Sequence, residues 1–275
     1  MQDIITATAG YFQKHGVEGP RLNAELLLAH VLGKKRIDLY LEFDRPLGER
    51  ELDPLRDLMK RRAAGEPLQH LLGTVEFHGR SFLCDPRALI PRPETEHLVE
   101  LLLVLPAKPS SLLDAGTGSG VIALTLAAEW PAAAVDAIDI STDALALAAE
   151  NAARLGLGGR VRFLHSDLFS AVSGQYGLIV ANLPYIPAGE IPTLSREVRR
   201  DPLAALAGGP DGAGIIRTFL DRARAHLLPG GSVALEIGAG QAEMLVEHLR
   251  LLGYNDIRTR ADYAGINRFL FANHG

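Results

Sequence analysis

The four residues Asn182-Leu183-Pro184-Tyr185, which follow an apolar run, have the types needed to hold a planar NH2 group. Such a nitrogen is a weak nucleophile because its lone pair is delocalised into the neighbouring π-system. Two acceptors in its plane, the Asn182 side-chain oxygen and the Leu183 main-chain carbonyl, could bind both hydrogens and leave the nitrogen facing a methyl donor. Pro184 stiffens the turn, and the Tyr185 ring favours positive charge developing on the nitrogen. An ordinary turn is the alternative, but the residue types favour N-methylation.

A glycine-rich segment, DAGTGSG from Asp114 to Gly120, is the second candidate for chemistry. Its glycines stand at alternate positions, and without Cβ atoms they let the chain turn tightly against a ligand. A dinucleotide loop needs its third glycine one residue later, where this chain has Val121. Asp114 suits a cationic ligand better than a diphosphate. S-adenosylmethionine (SAM), with an ammonium, a sulfonium and no phosphate, is therefore favoured over NAD, although the glycines alone are weak support.

Two further acids follow predicted strands. Asp139 ends the second strand of the alternating region, where a carboxylate can accept hydrogen bonds from both hydroxyls of a ribose. Asp167 follows the third strand and could accept from an adenine amino group, while Leu168 or Phe169 covers the ring. Each acid alone would more often cap a helix or form a turn. Three acids after three successive strands favour a nucleoside site.

The pattern of elements predicts how these residues are positioned. Residues 1–72 show helical spacing of apolar residues, with helices predicted over 20–32 and 51–64. Residues 73–89 alternate around a His78-Gly79 turn and predict a β-hairpin linker. From residue 90 to 275 strands and helices alternate, with helices predicted from residue 94, over 121–129 and over 215–228. This alternation predicts a mostly parallel sheet with helices on both faces. The fold class is therefore α/β, and the carboxyl ends of its strands should carry the site.

Bulk composition excludes several classes of function. The net charge of −5 gives no overall basic field for nucleic acid, and the single cysteine rules out an intrachain disulfide. His97 follows Glu94 at a metal-ligand spacing that occurs only once, so we predict no metal site and interpret His97 as a surface or packing residue. The N-terminus lacks a signal peptide pattern and no apolar stretch is long enough to span a membrane, so a cytoplasmic protein is expected.

Four motifs in order carry a resemblance to a known family: IPRPETE at 90–96, DAGTGSG at 114–120, NLPYIP at 182–187 and REVRRDPLAALAGGPDG at 196–212. With the helical N-terminal segment, the chain from about residue 20 onwards resembles the release factor glutamine methyltransferases, the HemK/PrmC family. The resemblance implies a Rossmann-like class I SAM-dependent methyltransferase sheet with a small N-terminal helical domain. It implies methyl transfer to the glutamine N5 of the Gly-Gly-Gln motif in class 1 peptide chain release factors, with S-adenosylhomocysteine as product.

The resemblance also implies roles for individual residues. Asn182, Leu183, Pro184 and Tyr185 would hold the glutamine amide, and residues 1–72 would contact the release factor. We expect a monomer that binds neither nucleic acid nor membrane. Two departures from the family pattern are Leu183, where proline is usual, and Leu168, where many relatives have tryptophan. The implied SAM contacts are Gly116, Thr117, Gly118, Ser119, Gly120, Asp139, Leu168 and Asn182, to which the reasoning above adds Asp114 and Asp167.

Two other functions share parts of this pattern. An adenine-N6 methyltransferase acting on DNA or RNA would use the same turn chemistry but normally needs a basic channel. A non-catalytic SAM-binding protein would not need the acceptor turn. Two segments stay without a derived function: Arg92 and Glu94 are candidates for an ion pair, and GGPDG at 208–212 is predicted to be a flexible loop because it lacks the lysine of a phosphate loop.

Overall fold

The computed structural model describes residues 1–275, which form two compact units. The first unit comprises Met1–Thr74 together with Ser195–Arg200. The second comprises Val75–Leu194 and Asp201–Gly275. The hairpin therefore clusters with the second unit, and the predicted three-part division with a separate linker stays a prediction.

Five helices form the first unit: α1 (Gln2–Lys14), α2 (Pro20–Leu32), α3 (Asp38–Leu41), α4 (Glu49–Ala63) and α5 (Leu68–Leu72). The predicted bounds of α2 are confirmed, because Pro20 occupies a first-turn position and Gly33 ends the helix with a left-handed backbone. The predicted helix over 51–64 starts two residues earlier, at Glu49. Phe12, Leu27 and Leu55 are buried in the core between these helices.

A buried arginine fixes the segment Ser195–Arg200 within the first unit. The Arg62 side chain is buried, and its Nη2 lies 2.6 Å from Glu197 Oε1. Its Nε donates to Asn23 Oδ1 at 2.7 Å. A buried guanidinium needs such partners, because an unpaired charge in the interior is strongly disfavoured. The chain therefore returns to the helical unit more than a hundred residues after leaving it.

The predicted hairpin is confirmed. Strands β1 (Thr74–Phe77) and β2 (Arg80–Leu83) form a two-stranded sheet. Both turn residues, His78 and Gly79, have positive φ (48° and 69°), as the tight hairpin turn requires. The rings of Phe77 and Phe82 are buried and meet edge to face, with centroids 6.1 Å apart.

Seven strands form the main sheet: β3 (Ser111–Ala115), β4 (Ala134–Asp139), β5 (Val161–His165), β6 (Tyr176–Asn182), β7 (Leu227–Glu236), β8 (Tyr254–Ala261) and β9 (Asn267–His274). Their order across the sheet is β5-β4-β3-β6-β7-β9-β8. Only β9 runs opposite to the other six strands, so the prediction of a mostly parallel sheet is confirmed. The strand order reverses between β3 and β6, where open α/β sheets bind ligands.

Five helices pack on the two faces of this sheet: α6 (Pro93–Leu103), α7 (Val121–Glu129), α8 (Thr142–Arg154), α9 (Gly214–Ala223) and α10 (Ala242–Leu251). Alternate strand residues point to opposite faces, so Leu112 packs in one apolar core and Leu113 in the other. No helix of the structure combines the length and the apolar character that crossing a bilayer demands.

Two predicted boundaries are wrong. The helix expected over 215–228 ends at Ala223, because residues 224–226 form a 3-10 turn and Leu227 then pairs with Tyr176 at the start of β7. Helix α6 begins at Pro93 rather than after it. Proline is compatible with the first turn of a helix, where its missing N–H has no partner to lose.

Candidate active site

The carboxyl ends of the parallel strands meet at one edge of the main sheet. Asn182, at the end of β6, is in register with Glu236 at the end of β7. Ala115, at the end of β3, is in register with Ala181 of β6 and Ile138 of β4. A cavity of about 390 Å³ opens at this edge, next to the point where the strand order reverses. Its size is that of a small-molecule site.

The glycine loop forms one wall of this cavity. Gly116, Gly118 and Gly120 all have positive φ, between 55° and 84°, a region that residues with a Cβ disfavour. A Cβ at Gly116 would lie 2.9 Å from Cδ2 of Leu183, and one at Gly120 would lie 3.1 Å from Cβ of Ala148. The loop therefore needs glycine for its backbone conformation and for the close approach of its neighbours. Gly116, Thr117, Gly118 and Ser119 line the cavity, whereas Gly120 does not.

Asp114 lies beneath the loop rather than in the cavity wall. Its side chain is fully buried, and Oδ2 accepts hydrogen bonds from Thr117 Oγ1 at 2.7 Å and from the Ala123 amide at 3.1 Å. Burial raises the pKa of this carboxyl to about 7, against the lowering effect of the two donors. The structure thus gives Asp114 the role of holding the glycine loop to the start of α7, and it does not bring Asp114 to the cavity as predicted.

Asp139 does line the cavity. Oδ2 accepts from the Gly118 amide and Oδ1 from the Ser141 amide, each at 2.9 Å. Each oxygen keeps further acceptor capacity, which two ribose hydroxyls could use. Burial raises the pKa of Asp139, and the amide hydrogen bonds partly oppose that rise. The carboxylate is therefore oriented by the glycine loop before any ligand binds.

The loop after β5 supplies the next part of the wall. Asp167 is exposed and lines the cavity, as does Leu168. Leu168 has a φ of 48°, which is unfavourable for a residue with a Cβ, and Ser166 Oγ donates to its carbonyl at 2.6 Å. Phe169 instead stacks on His226 and Phe219 in the core. Of the two candidates for covering an adenine ring, only Leu168 is at the cavity.

The acceptor turn Asn182–Tyr185 supplies a further part of the wall. Asn182, Leu183 and Pro184 line the cavity, and Tyr185 lies outside the lining with its hydroxyl donating to Glu236 Oε1 at 3.1 Å. Burial and the neighbouring Glu236 carboxylate raise the pKa of Tyr185, so the phenol stays neutral. Leu183 is buried with its side chain over Gly116, which explains how leucine is accommodated at this position.

The segment GGPDG, predicted to be a flexible loop, is instead hydrogen-bonded behind the acceptor turn. The Ala188 amide donates to the Gly209 carbonyl and the Gly208 amide donates to the Ile186 carbonyl, each at 2.9 Å. A Cβ at Gly208 would lie 2.7 Å from the Pro184 carbonyl oxygen, and one at Gly212 would lie 2.4 Å from that of Tyr185. These glycines allow the segment to pack against the main chain of the turn.

The IPRPETE segment also has contacts that the sequence did not reveal. Arg92 pairs with Asp201 at 2.5 Å instead of with Glu94, and Asp201 also accepts from the Ile90 amide at 3.2 Å. The pair joins IPRPETE to the segment at 202–205, and both segments line the cavity. Thr95 lines it as well. His97, interpreted as a surface or packing residue, stacks on the Tyr263 ring with centroids 4.0 Å apart.

Two polar residues near the acceptor turn, Thr95 and Glu236, were not predicted from the sequence. Thr95 Oγ1 donates to Glu236 Oε2 at 2.7 Å and accepts from Asn182 Nδ2 at 2.9 Å. Glu236 could have been found by the reasoning used for Asp139, because it also ends a buried parallel strand. Thr95 carries no such signal, since its neighbours in the site are far away along the chain. No group of acidic, histidine and cysteine side chains is arranged to hold a metal ion.

This fold, with a ligand-sized cavity at the strand switch point, is Rossmann-like and is shared with methyltransferases of known structure. Residues 95–197 match the family described as the methyltransferase small domain. A methyltransferase from Pyrococcus furiosus shares the fold with a TM-score of 0.56 at 21% identity, covering 72% of this chain and 90% of that one. The T. thermophilus 16S rRNA N2 G1207 methyltransferase, solved with AdoMet and guanosine, gives 0.52 at 20% identity, covering 74% and 50%.

Sequence relatives narrow the class to one family. Residues 3–73 match the PrmC N-terminal domain. The release factor glutamine methyltransferase of Geobacter sulfurreducens is 42% identical over 98% of this chain and 94% of its own length. Those of Deinococcus radiodurans and Escherichia coli are 41% and 39% identical, over 99% and 93% of this chain and 98% and 93% of their own lengths. The chain belongs to the release factor glutamine methyltransferase family.

Proposed function

We propose that this protein transfers a methyl group from SAM to the side-chain amide nitrogen of the glutamine in the Gly-Gly-Gln motif of class 1 peptide chain release factors. The observation that carries the proposal is the position of Asn182. Asn182 lines a ligand-sized cavity together with the glycine loop, and its NH2 is engaged by Thr95, which leaves Oδ1 free to accept. Near-full-length relatives that bear the name of this activity support it.

The residues of the cavity fit SAM and its product S-adenosylhomocysteine. When bound, SAM supplies an electrophilic methyl group on a sulfonium. Asp139 would accept from the ribose hydroxyls, while Asp167 and Leu168 would contact the adenine. The glycine loop, Gly116 to Ser119, would lie along the rest of the cofactor, and Asn182 would contact it as well.

Charge also favours the cationic cofactor. Asp139 and Asp167 bring negative charge to the cavity, and Arg87 is the single cationic side chain in its lining. Arg87 is paired with Asp85 at 2.7 Å and with Glu150 at 2.7 Å, so its charge is neutralised locally. The product lacks the sulfonium charge, and the acidic wall therefore stabilises SAM more than the product.

The acceptor turn acts on the glutamine by binding and orientation. Asn182 Oδ1 and the Leu183 carbonyl would accept the two amide hydrogens and so hold the plane of the glutamine amide. The nitrogen lone pair, which is perpendicular to that plane, would then face the methyl donor. Such alignment, with preorganised dipoles, accounts for much of enzymatic rate enhancement. The chain needs no strong base, because the methylated nitrogen is acidic and loses a proton readily.

The helical unit would recognise the release factor outside its Gly-Gly-Gln motif. Residues 3–73 match a family domain of their own, and none of them lines the cavity. With a net charge of −5, the chain offers no general basic surface for nucleic acid. We propose that the protein acts as a monomer on a protein substrate.

Labelling with tritiated SAM tests this function. A purified class 1 release factor should be labelled at the Gly-Gly-Gln glutamine, with the site assigned by mass spectrometry, and a variant release factor with alanine in place of that glutamine should stay unlabelled. Absence of label with a folded, SAM-binding enzyme would refute the proposal. The adenine-N6 alternative is tested with DNA and RNA acceptors at low and high salt, since electrostatic binding of nucleic acid weakens steeply with salt.

A further inference from the structure

Four side chains from separate elements form a hydrogen-bonded relay behind the acceptor turn. Thr95, on α6, is buried, and its Oγ1 lies 2.7 Å from Glu236 Oε2 and 2.9 Å from Asn182 Nδ2. Tyr185 donates its hydroxyl to the other oxygen of Glu236 at 3.1 Å. Glu236 is itself buried at the end of β7, in register with Asn182.

The chemistry of these groups fixes the direction of each hydrogen bond. An ionised carboxylate only accepts, and Glu236 has a hydroxyl donor at each of its two oxygens. With Glu236 ionised, the single hydroxyl hydrogen of Thr95 must point to it. The Thr95 oxygen is then left only with lone pairs toward Asn182, and it can bind the NH2 side of the amide but not the carbonyl side. A reversed Asn182 amide would set two acceptors against each other in a buried place, which is unfavourable. The relay therefore turns Asn182 Oδ1 away from Thr95.

We propose that Thr95 and Glu236 are positioning residues that act through Asn182 and keep its Oδ1 presented to the substrate amide. The inference rests on the proposed function and adds to it the groups that select one of the two amide orientations. Without them, an asparagine at the cavity could present either its oxygen or its NH2, and only the oxygen can accept a hydrogen from glutamine. Tyr185 holds the far end of the relay and ties the other end of the acceptor turn to the same carboxylate.

The experiment replaces the Thr95 hydroxyl with a methyl group of similar size. Thr95→Val should lower kcat about tenfold or more, as loss of an oriented polar group in an active site does, with SAM affinity little changed. Thr95→Ser, which restores the hydroxyl, should recover most of the activity. The matched control is Thr125→Val on α7, which makes the same change at a buried threonine whose hydroxyl has no partner. That control should behave like the wild type.

A double-mutant cycle separates positioning from simple packing. If Thr95 acts through Asn182, Thr95→Val should have almost no further effect on kcat in an Asn182→Ala background, whereas a packing defect would add to it. A wild-type kcat for Thr95→Val, or additive losses in the cycle, would overturn the relay. If the wild type labels no release factor, the proposed function fails by itself.

A second readout needs no turnover. By nitrogen-15 NMR, the side-chain NH2 of Asn182 should exchange its hydrogens slowly in the wild type and in Thr95→Ser, because one of them is bonded to Thr95. That protection should be lost in Thr95→Val and kept in Thr125→Val. A freely exchanging Asn182 NH2 in the folded wild type would overturn the relay whatever the enzyme methylates.

Discussion

The two walls of the cavity are built in different ways. On the cofactor side, the glycine loop, Asp139 and Leu168 are oriented largely by hydrogen bonds within and between consecutive strand ends. On the acceptor side, Asn182 depends on Thr95, which is 87 positions away, and Thr95 depends on Glu236, which is 141 positions away. Short motifs can therefore specify the cofactor wall, whereas the acceptor wall is assembled from segments that are distant along the chain.

The largest effect should follow from removing the acceptor itself. We expect Asn182→Ala to lower kcat by about 100-fold or more, because an oriented acceptor for the substrate amide is lost. SAM affinity should weaken much less, since the loop and Asp139 stay in place. Methylation rates at saturating SAM and calorimetric SAM binding measure the two effects. Near-normal turnover of Asn182→Ala would contradict the assignment of this residue to the acceptor wall.

The second-largest loss of kcat should follow from disturbing the GGPDG segment, which packs behind the acceptor turn. In Gly208→Ala the new Cβ would meet the Gly212 carbonyl oxygen at 2.1 Å and the Pro184 carbonyl oxygen at 2.7 Å, so the turn must shift. A displacement of this kind should lower kcat by roughly 10- to 100-fold while SAM still binds. Gly189→Ala is the matched control, because a Cβ there has nothing within 4 Å. Equal activity of the two variants would show that the GGPDG segment does not support the turn.

Changes in the cofactor wall should weaken SAM binding and leave kcat nearly unchanged, the reverse of what is expected for the acceptor wall. Asp139→Ala should raise the Kd for SAM by about tenfold, since hydrogen bonds to a charged acceptor are lost, and kcat at saturating SAM should change little. Asp143→Ala removes an exposed carboxylate outside the cavity lining and serves as the control. A loss of kcat without a loss of affinity would mean that Asp139 belongs functionally to the acceptor side.

The smallest effect concerns the support of the glycine loop. The pKa of Asp114 is raised to about 7, so protonation stabilises the fold. This contribution is fully present below the ordinary carboxyl pKa and is lost as the pH rises toward 7. Relative to the wild type, Asp114→Asn should therefore gain a few degrees in Tm when the pH is raised from 4 to 8. Parallel Tm profiles for the two proteins would contradict a raised pKa.

Much of the fold followed from local patterns. The bounds of α2 and α7, the hairpin turn at His78-Gly79 and the parallel sheet could be predicted because apolar periodicity and glycine positions act over a few residues. The end of α9 could not, because its helical spacing continues past Ala223 while the pairing of Leu227 with Tyr176 ends the helix. Tertiary pairing there outweighs helical propensity.

By itself the sequence determined the kinds of chemical group at the site: a glycine loop, acids at strand ends and an Asn-Leu-Pro-Tyr turn, each encoded in a few neighbouring residues. Only the tertiary structure decided which of them face the cavity. In the folded chain Asp114 and Phe169 lie away from the cavity wall. The GGPDG segment packs behind the acceptor turn, and Thr95 and Glu236 lie next to Asn182. The physical reason is that a hydrogen bond's direction depends on both partners, and partners distant along the chain meet only once sheet register and helix packing are established.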